Sequence, residues 1–258
     1  MGRARRGARR LRHSAGGLTT MAGNSALALS CSPRGPKGST ALVLSEFLEG
    51  IREGGGSVEV LEPYRMNISP CRGCFSCWTK TPGVCAIEDD MAALNARLDR
   101  ADTVVFATPV YHFTMSEGMK RLIERTMPLL DPEVRPGPDG RARHARLGRR
   151  DQRAVLVATC GFPELQVFDG LRRTFSDICD MMEWSPAGEV LRTGSGLLSS
   201  RDARAREAAA GYLLLVRGAG RAVAGGGMIE PECRHHLESD LLPREEYFRL
   251  VNGWFVKR

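Results

Sequence analysis

Short apolar runs alternate along this chain with longer segments of helical periodicity, and that alternation constrains the fold more than any other feature. Ala26–Cys31, Ser57–Leu61, Thr103–Ala107, Ala154–Ala158 and Glu189–Leu191 read as strands. Between and after them, Thr40–Glu53, Asp89–Arg100, Ser116–Met127, Glu164–Glu183 and Arg201–Ala222 read as helices. In the first helix Leu42, Leu44, Phe47, Leu48 and Ile51 recur at near-helical spacing. Ser39 and Thr40 are available to cap it, and Gly54-Gly55-Gly56 ends it. Five strands separated by helices imply an α/β protein with one parallel sheet and right-handed crossovers. The strands are continuous apolar runs, as burial on both faces requires.

The flanks carry a different composition. Residues 1–20 hold six arginines (Arg3, Arg5, Arg6, Arg9, Arg10, Arg12) and no acid, so without them the net charge of +7 falls to +1. A nucleic-acid binder keeps its excess on a folded face, and here it sits on a tail expected to be disordered over residues 1–22. The tail lacks the apolar core of a secretory signal. It reads either as a transit peptide or as an upstream start, with Met21 as the working initiator. The Pro-, Gly- and Arg-rich residues 131–152 read as a mobile insertion in a domain spanning 23–224. Arg141, Arg143, Arg146, Arg149, Arg150 and Arg153 could bind a nucleic acid or a protein, but such a run is more often a solvated loop. Residues 225–258, with Pro231, Pro243 and a helical Glu245–Phe255, form a C-terminal extension. It could cap the sheet or reach over a partner's ligand. No apolar run approaches the ~18–20 residues of a membrane helix, so neither a membrane nor a nucleic acid is expected as a partner.

Two loops carry ligand chemistry, each directly after a strand. Ser32–Thr40 supplies three hydroxyls (Ser32, Ser39, Thr40), the Arg34 guanidinium, and glycines that let backbone N–H groups approach an anion. A helix begins where this loop ends, and a helix N-terminus attracts phosphate. A triphosphatase loop needs Gly-Lys-Ser/Thr, whereas here Lys37 precedes Gly38, and the three-glycine dinucleotide fingerprint is incomplete. The second loop, Thr108-Pro109-Val110-Tyr111-His112-Phe113, offers backbone amides for the edge of a heteroaromatic ring and Tyr111 or Phe113 for its face. In an open α/β sheet, ligands sit outside the carboxyl ends of the strands where strand order reverses.

Ser32-Pro33-Arg34 with Ser39-Thr40, and Thr108-Pro109-Val110-Tyr111 followed by Ser116 and Met119-Lys120, resemble the NAD(P)H-dependent FMN reductase family of flavodoxin-like proteins over roughly residues 26–185. The resemblance implies a three-layer sandwich with a five-stranded sheet of order 2-1-3-4-5. It implies FMN with its phosphate on Ser32, Arg34, Ser39 and Thr40, and its ring on Pro109, Val110, Tyr111, His112 and Phe113. Thr159, Cys160, Gly161 and Phe162 would form a third loop beside the ring. The chain departs from the commoner Thr-Pro-Val-Tyr-Trp-Gly wording at His112 and Phe113. The implied activity takes hydride from NADH or NADPH and passes electrons to a quinone, a flavin or another small acceptor. No general acid or base is named, because the flavin carries the chemistry. The resemblance also implies a homodimer or higher homo-oligomer, with the 116–130 helix and the cysteine loop as contact surfaces.

Eight cysteines without a secretory signal point to a reducing, cytoplasmic compartment, where clustered thiols serve metal or redox chemistry. Cys71, Cys74, Cys77 and Cys85 lie within fifteen residues; the other four are scattered and read as small core residues. The compact spacing can hold a [4Fe-4S] cluster, and it resembles iron–sulfur flavoproteins of the same fold group. That alternative is an electron carrier serving a ferredoxin-like partner. Zinc usually takes two separated pairs. The same segment also looks like a metal-free loop of simple flavin reductases, so the choice stays open at this point.

Overall fold

A computed structural model describes residues 24–149 and 151–255. The tail over 1–22 and Arg150 lie outside the described residues. The chain runs β1 (Ser25–Ser30), α1 (Ser39–Glu53), β2 (Ser57–Leu61), α2 (Ser76–Thr79), α3 (Met91–Arg100), β3 (Thr103–Tyr111), β4 (Thr114–Met115) and α4 (Glu117–Glu124). It continues with β5 (Leu130–Pro136), β6 (Ala142–Arg146), β7 (Arg153–Thr159), α5 (Asp169–Met182), β8 (Ser185–Arg192), α6 (Ala203–Ala224), α7 (Pro231–Glu238) and α8 (Arg244–Phe255).

The central sheet is ordered β2-β1-β3-β7-β8, all parallel, which is 2-1-3-4-5 for the parallel strands alone. The short β4 adds antiparallel to the end of β3. Successive residues of each strand feed opposite cores, as the period of two demands. Leu27, Leu29, Val104, Phe106 and Leu156 pack with Leu94, Leu98, Met119, Leu122 and Phe175 of α3, α4 and α5. Ala26, Ala28, Val105, Val155 and Val157 pack on the other face with α1 and α6. These two helices meet through glycines: a Cβ on Gly50 would lie 2.0 Å from the Arg217 carbonyl oxygen, and one on Gly220 would lie 2.0 Å from that of Phe47. Backbone therefore touches backbone at the crossing, and Arg217 pairs with Glu46 at 2.6 Å beside it.

Two expectations change. Residues 131–152, expected as a mobile insertion, contain the antiparallel hairpin β5–β6. The described arginines of this run are anchored by ion pairs and backbone carbonyls. Arg146 is fully buried and pairs with Asp99 at 2.9 Å, and Arg149 pairs with Asp102 at 2.7 Å. Arg141 contacts Asp139, Asp177 and Asp180, while Arg153 donates to the carbonyls of Val223 and Gly227. Most of these partners lie 36 to 74 residues away in sequence, so composition alone reads as a free charge run.

The other change is at the helix ends. The helix expected over 116–127 stops at Glu124, and a 3-10 turn over Met127–Leu129 carries Pro128, which cannot continue an α-helix.

Candidate functional site

The carboxyl ends of β1, β3, β7 and β8 meet at one end of the sheet, beside the β1/β3 point where strand order reverses. The anion-type loop follows β1. α1 begins at Ser39 after Gly38, with no side-chain cap. Ser39 and Thr40 are therefore not the caps expected of them. Ser39 Oγ donates to the Ser195 carbonyl at 3.1 Å, and the Thr40 and Thr159 hydroxyls share a 2.7 Å hydrogen bond. The first-turn N–H groups of a 15-residue helix thus face the loop uncapped, at the positive end of its dipole. Gly38 holds the loop tight, since a Cβ there would meet Ser32 Oγ at 3.0 Å. Among the described residues the Arg34 guanidinium finds one long contact, 3.5 Å to the Lys37 carbonyl, and so remains available. A cavity of about 380 Å³ opens here.

The ring-type segment is strand rather than loop. β3 continues through Pro109 to Tyr111, with Pro109 opposite Thr159 of β7. The turn shrinks to His112 and Phe113, at φ 47° and 65°. Positive φ at both central positions makes a primed hairpin turn that favours Asn and Gly, so these two residues hold strained backbone at the site's rim. The strand end is pinned below: Ser116 donates its amide to Thr108 Oγ1 at 2.9 Å and its hydroxyl to the Cys31 carbonyl at 2.5 Å. A second cavity of about 640 Å³ adjoins the first through Val110, Gly161 and Val251. Its remaining wall is His112, Phe113, Cys160, Phe162, Val167 and Tyr247. Burial pushes the Cys160 thiol up, so it stays neutral at pH 7.

The twelve residues expected from sequence to hold a cofactor thus gather in two adjoining cavities. Nine line the first (Ser32, Arg34, Ser39, Thr40, Pro109, Val110, Tyr111, Thr159, Gly161), and His112, Phe113 and Cys160 line the second. Sequence reasoning missed Ser195, Gly196 and Ser199 after β8, and Tyr247, Val251 and Trp254 on α8. Thr193-Gly194-Ser195-Gly196, a Gly/Ser stretch directly after an apolar strand, was the available signal for the first group. The helix expected over Glu245–Phe255 is present as α8 and lines this chain's own cavities, but no local signal marked Tyr247, Val251 or Trp254 as the residues that do so.

Cys71, Cys74, Cys77 and Cys85, all free, line a separate cavity of about 360 Å³ with Ile87 and Met127. Burial, then the neighbouring Cys85, Cys71 and Cys74, push the Cys77 thiol up, while hydrogen bonds from Ser76 hold the Cys74 thiol down. Beneath them Arg125, about 1% exposed, binds Asp89 with both nitrogens at 2.7 and 2.9 Å and donates to the Ser69 carbonyl at 2.6 Å. α4 links the two regions: Ser116 begins it at the ring end, and Arg125 follows it at the thiol pocket. Trp78 closes the loop, donating to the Met127 carbonyl at 3.0 Å and packing 4.5 Å from the His144 ring of the hairpin. Among the described residues no three His, Cys, Asp or Glu side chains converge as a single-ion site. Tetrahedral zinc would need its sulfurs about 3.8 Å apart.

Comparison with known proteins bears on this geometry. The chain is 35% identical over 103 residues to an iron-sulfur flavoprotein of Methanocaldococcus jannaschii, a match covering 40% of this chain and 52% of that one. It is 28% identical over 85 residues to one from Methanosarcina thermophila, covering 33% and 44%. The chain spans about half the length of the curated relatives it matches. An FMN-dependent NADH-azoreductase from Bacillus anthracis, solved with FMN, superposes with a TM-score of 0.59 at 15% identity, covering 78% of this chain and all of that one. An NAD(P)H:quinone oxidoreductase from Methanothermobacter marburgensis gives 0.58 at 19%, covering 78% and 96%. At such identities the superpositions speak for the fold. Residues 25–181, more than half of the chain, match the NADPH-dependent FMN reductase family. With the 2-1-3-4-5 sheet, that match makes this chain a flavodoxin-like member of the NADPH-dependent FMN reductase family.

Proposed function

We propose that this protein holds FMN in the paired cavities and passes electrons from NAD(P)H to a small organic acceptor. The observation that carries this reading is the uncapped start of α1, with Ser32, Arg34 and Thr40 around it, opening into an apolar cavity at the strand switch point. The residues fit the group. A helix N-terminus with an available guanidinium suits one phosphate. The β3 end and the Thr159–Gly161 loop supply backbone for a ring edge. FMN, when bound, supplies a carrier that takes two electrons from a nicotinamide and yields them to an acceptor. Thr108 and Ser116 keep the β3 end in place, and an apolar wall lines the acceptor side. Overall, a quinone gains two electrons and two protons, one proton arriving with the hydride and one from solvent. Titrating the protein with FMN tests the reading: one FMN per chain is expected, and no uptake overturns it.

The proposal includes a homodimer or higher homo-oligomer, with α4 and the cysteine loop in the contact; Phe75 and Val84 are exposed there. Light scattering tests it, and a monomer would contradict it. Among the described residues no helix is long and apolar enough to cross a membrane.

A second reading has its own observation. Four thiols line one pocket at the compact spacing that can hold a [4Fe-4S] cluster, over a guanidinium paired with Asp89. Cys71, Cys74, Cys77 and Cys85 would hold it, and the protein would then serve as an electron carrier. The iron-sulfur flavoproteins among its relatives support this reading. Iron and sulfide assay after anaerobic purification tests it; absence of both overturns it.

A further inference from the structure

The family match ends at residue 181, and the site's outer wall comes from beyond it. α8 crosses the mouth where the two cavities join. Val251 lines both cavities, Tyr247 lines the apolar one and Trp254 the polar one. The helix is held at several points. Tyr247, 5% exposed, donates its hydroxyl to the Gly161 carbonyl at 2.5 Å, on the very loop expected to flank a ring. Arg244 pairs with Glu164, and Arg204 of α6 pairs with Glu246 at 2.7 Å. The Trp254 ring lies on Gly196, where a Cβ would approach it to 2.8 Å. The connection from α7 is fixed from below: buried Arg192 at the end of β8 donates to the Ser239 carbonyl at 2.8 Å. The apolar cavity under this helix contains no Lys, Arg, Asp or Glu among its lining residues. Its polar side chains are the His112 ring, the Cys160 thiol and the Tyr247 hydroxyl, the last already donated to Gly161, so an anion entering it would replace its hydration poorly. Exposed Phe113 and Phe162 stand at its rim and offer faces to a flat ring.

We propose that α8 is the selectivity element of this site, a roof latched by Tyr247 that admits one flat, uncharged aromatic acceptor and excludes charged ones. This rests on the function proposed above, since the cavity accepts a substrate only if FMN lies beside it.

The test uses full-length, FMN-loaded protein with NADPH and two acceptors. One is 2-methyl-1,4-naphthoquinone, which takes two electrons and two protons per NADPH. The other is ferricyanide, of which two ions take one electron each and need no entry to the cavity. Val251→Trp fills the junction beneath the roof and should lower the ratio of naphthoquinone to ferricyanide kcat/KM, each taken per bound FMN, at least tenfold. Tyr247→Phe removes one hydrogen bond of the latch, and should raise the naphthoquinone KM about 2- to 10-fold with kcat less affected. Both acceptors falling together, or neither changing in Val251→Trp, overturns the roof. FMN titration of each variant separates this failure from that of the reading beneath it. Wild-type protein that takes up no FMN overturns both, whereas FMN-loaded variants with an unchanged acceptor ratio overturn the roof alone.

Discussion

The Asp89–Arg125 pair offers the sharpest test of how the cysteine loop is held. Both side chains are 2% exposed or less, and the guanidinium meets the carboxylate through two bonds of 2.7 and 2.9 Å. Asp89 also accepts the amides of Ser69 at 2.9 Å and Met91 at 3.0 Å, so it ties the loop to the start of α3. Asp89→Asn keeps the shape but leaves a buried cation unpaired. Breaking such a pair from one side costs about 3–5 kcal/mol. At about 2–4 °C per kcal/mol for a domain of this size, the melting temperature should fall by roughly 6–20 °C. Replacing both partners by neutral polar residues, Asp89→Asn with Arg125→Gln, should recover part of the loss, because no buried charge remains while the Ser69 and Met91 amides keep an acceptor. The sign with pH also follows. Burial raises the Asp89 carboxyl, but hydrogen bonds from Arg125, Ser69 and Met91 outweigh it and hold the group below the usual carboxylate range. Its contribution is then fully present above the unfolded value near ~3.9 and lost as pH falls through the folded one. Urea titrations of wild type and Asp89→Asn between pH 7 and pH 2.5 measure both effects, and the variant should lose less on acidification. A loss under about 1 kcal/mol at pH 7, or a double variant no better than the single, would refute the reasoning.

Arg34→Ala should weaken FMN binding about 10- to 100-fold by fluorescence titration, the worth of one charged hydrogen bond to phosphate. Gly50→Ala places a methyl 2.0 Å from the Arg217 carbonyl and should destabilise the fold by about 1–3 kcal/mol in urea, through separation of α1 and α6. Phe113→Gly relieves a left-handed residue that is 61% exposed, and should raise stability by up to about 1 kcal/mol while reducing turnover of an aromatic acceptor.

The parts of the fold that were legible in sequence are those written locally. Continuous apolar strands imply a parallel sheet, and the Ser32–Thr40 loop announces an anion site because its hydroxyls, arginine and following helix are contiguous. Pro109 misled: it reads as the end of a strand, yet β3 runs on through it and bends into the His112–Phe113 turn. Arg141, Arg146 and Arg149 read as solvated because carboxylates that pair with them lie on α5, on α3 and just before β3. Tyr247 reaches Gly161 across 86 residues, and no periodicity in α8 marks that contact. Ser195 was missed for a different reason. Its hydrogen bond to Ser39 is non-local, but the Gly/Ser stretch after β8 is the same signature that marked the loop after β1.

The most direct test of the central claim is the absorption spectrum of anaerobically purified, FMN-reconstituted protein before and after one equivalent of NADPH. A protein-bound flavin spectrum is expected at one FMN per chain, bleaching with NADPH and returning on adding 2-methyl-1,4-naphthoquinone. A protein that stays colourless after reconstitution, or a bound flavin that NADPH leaves oxidised, would contradict it.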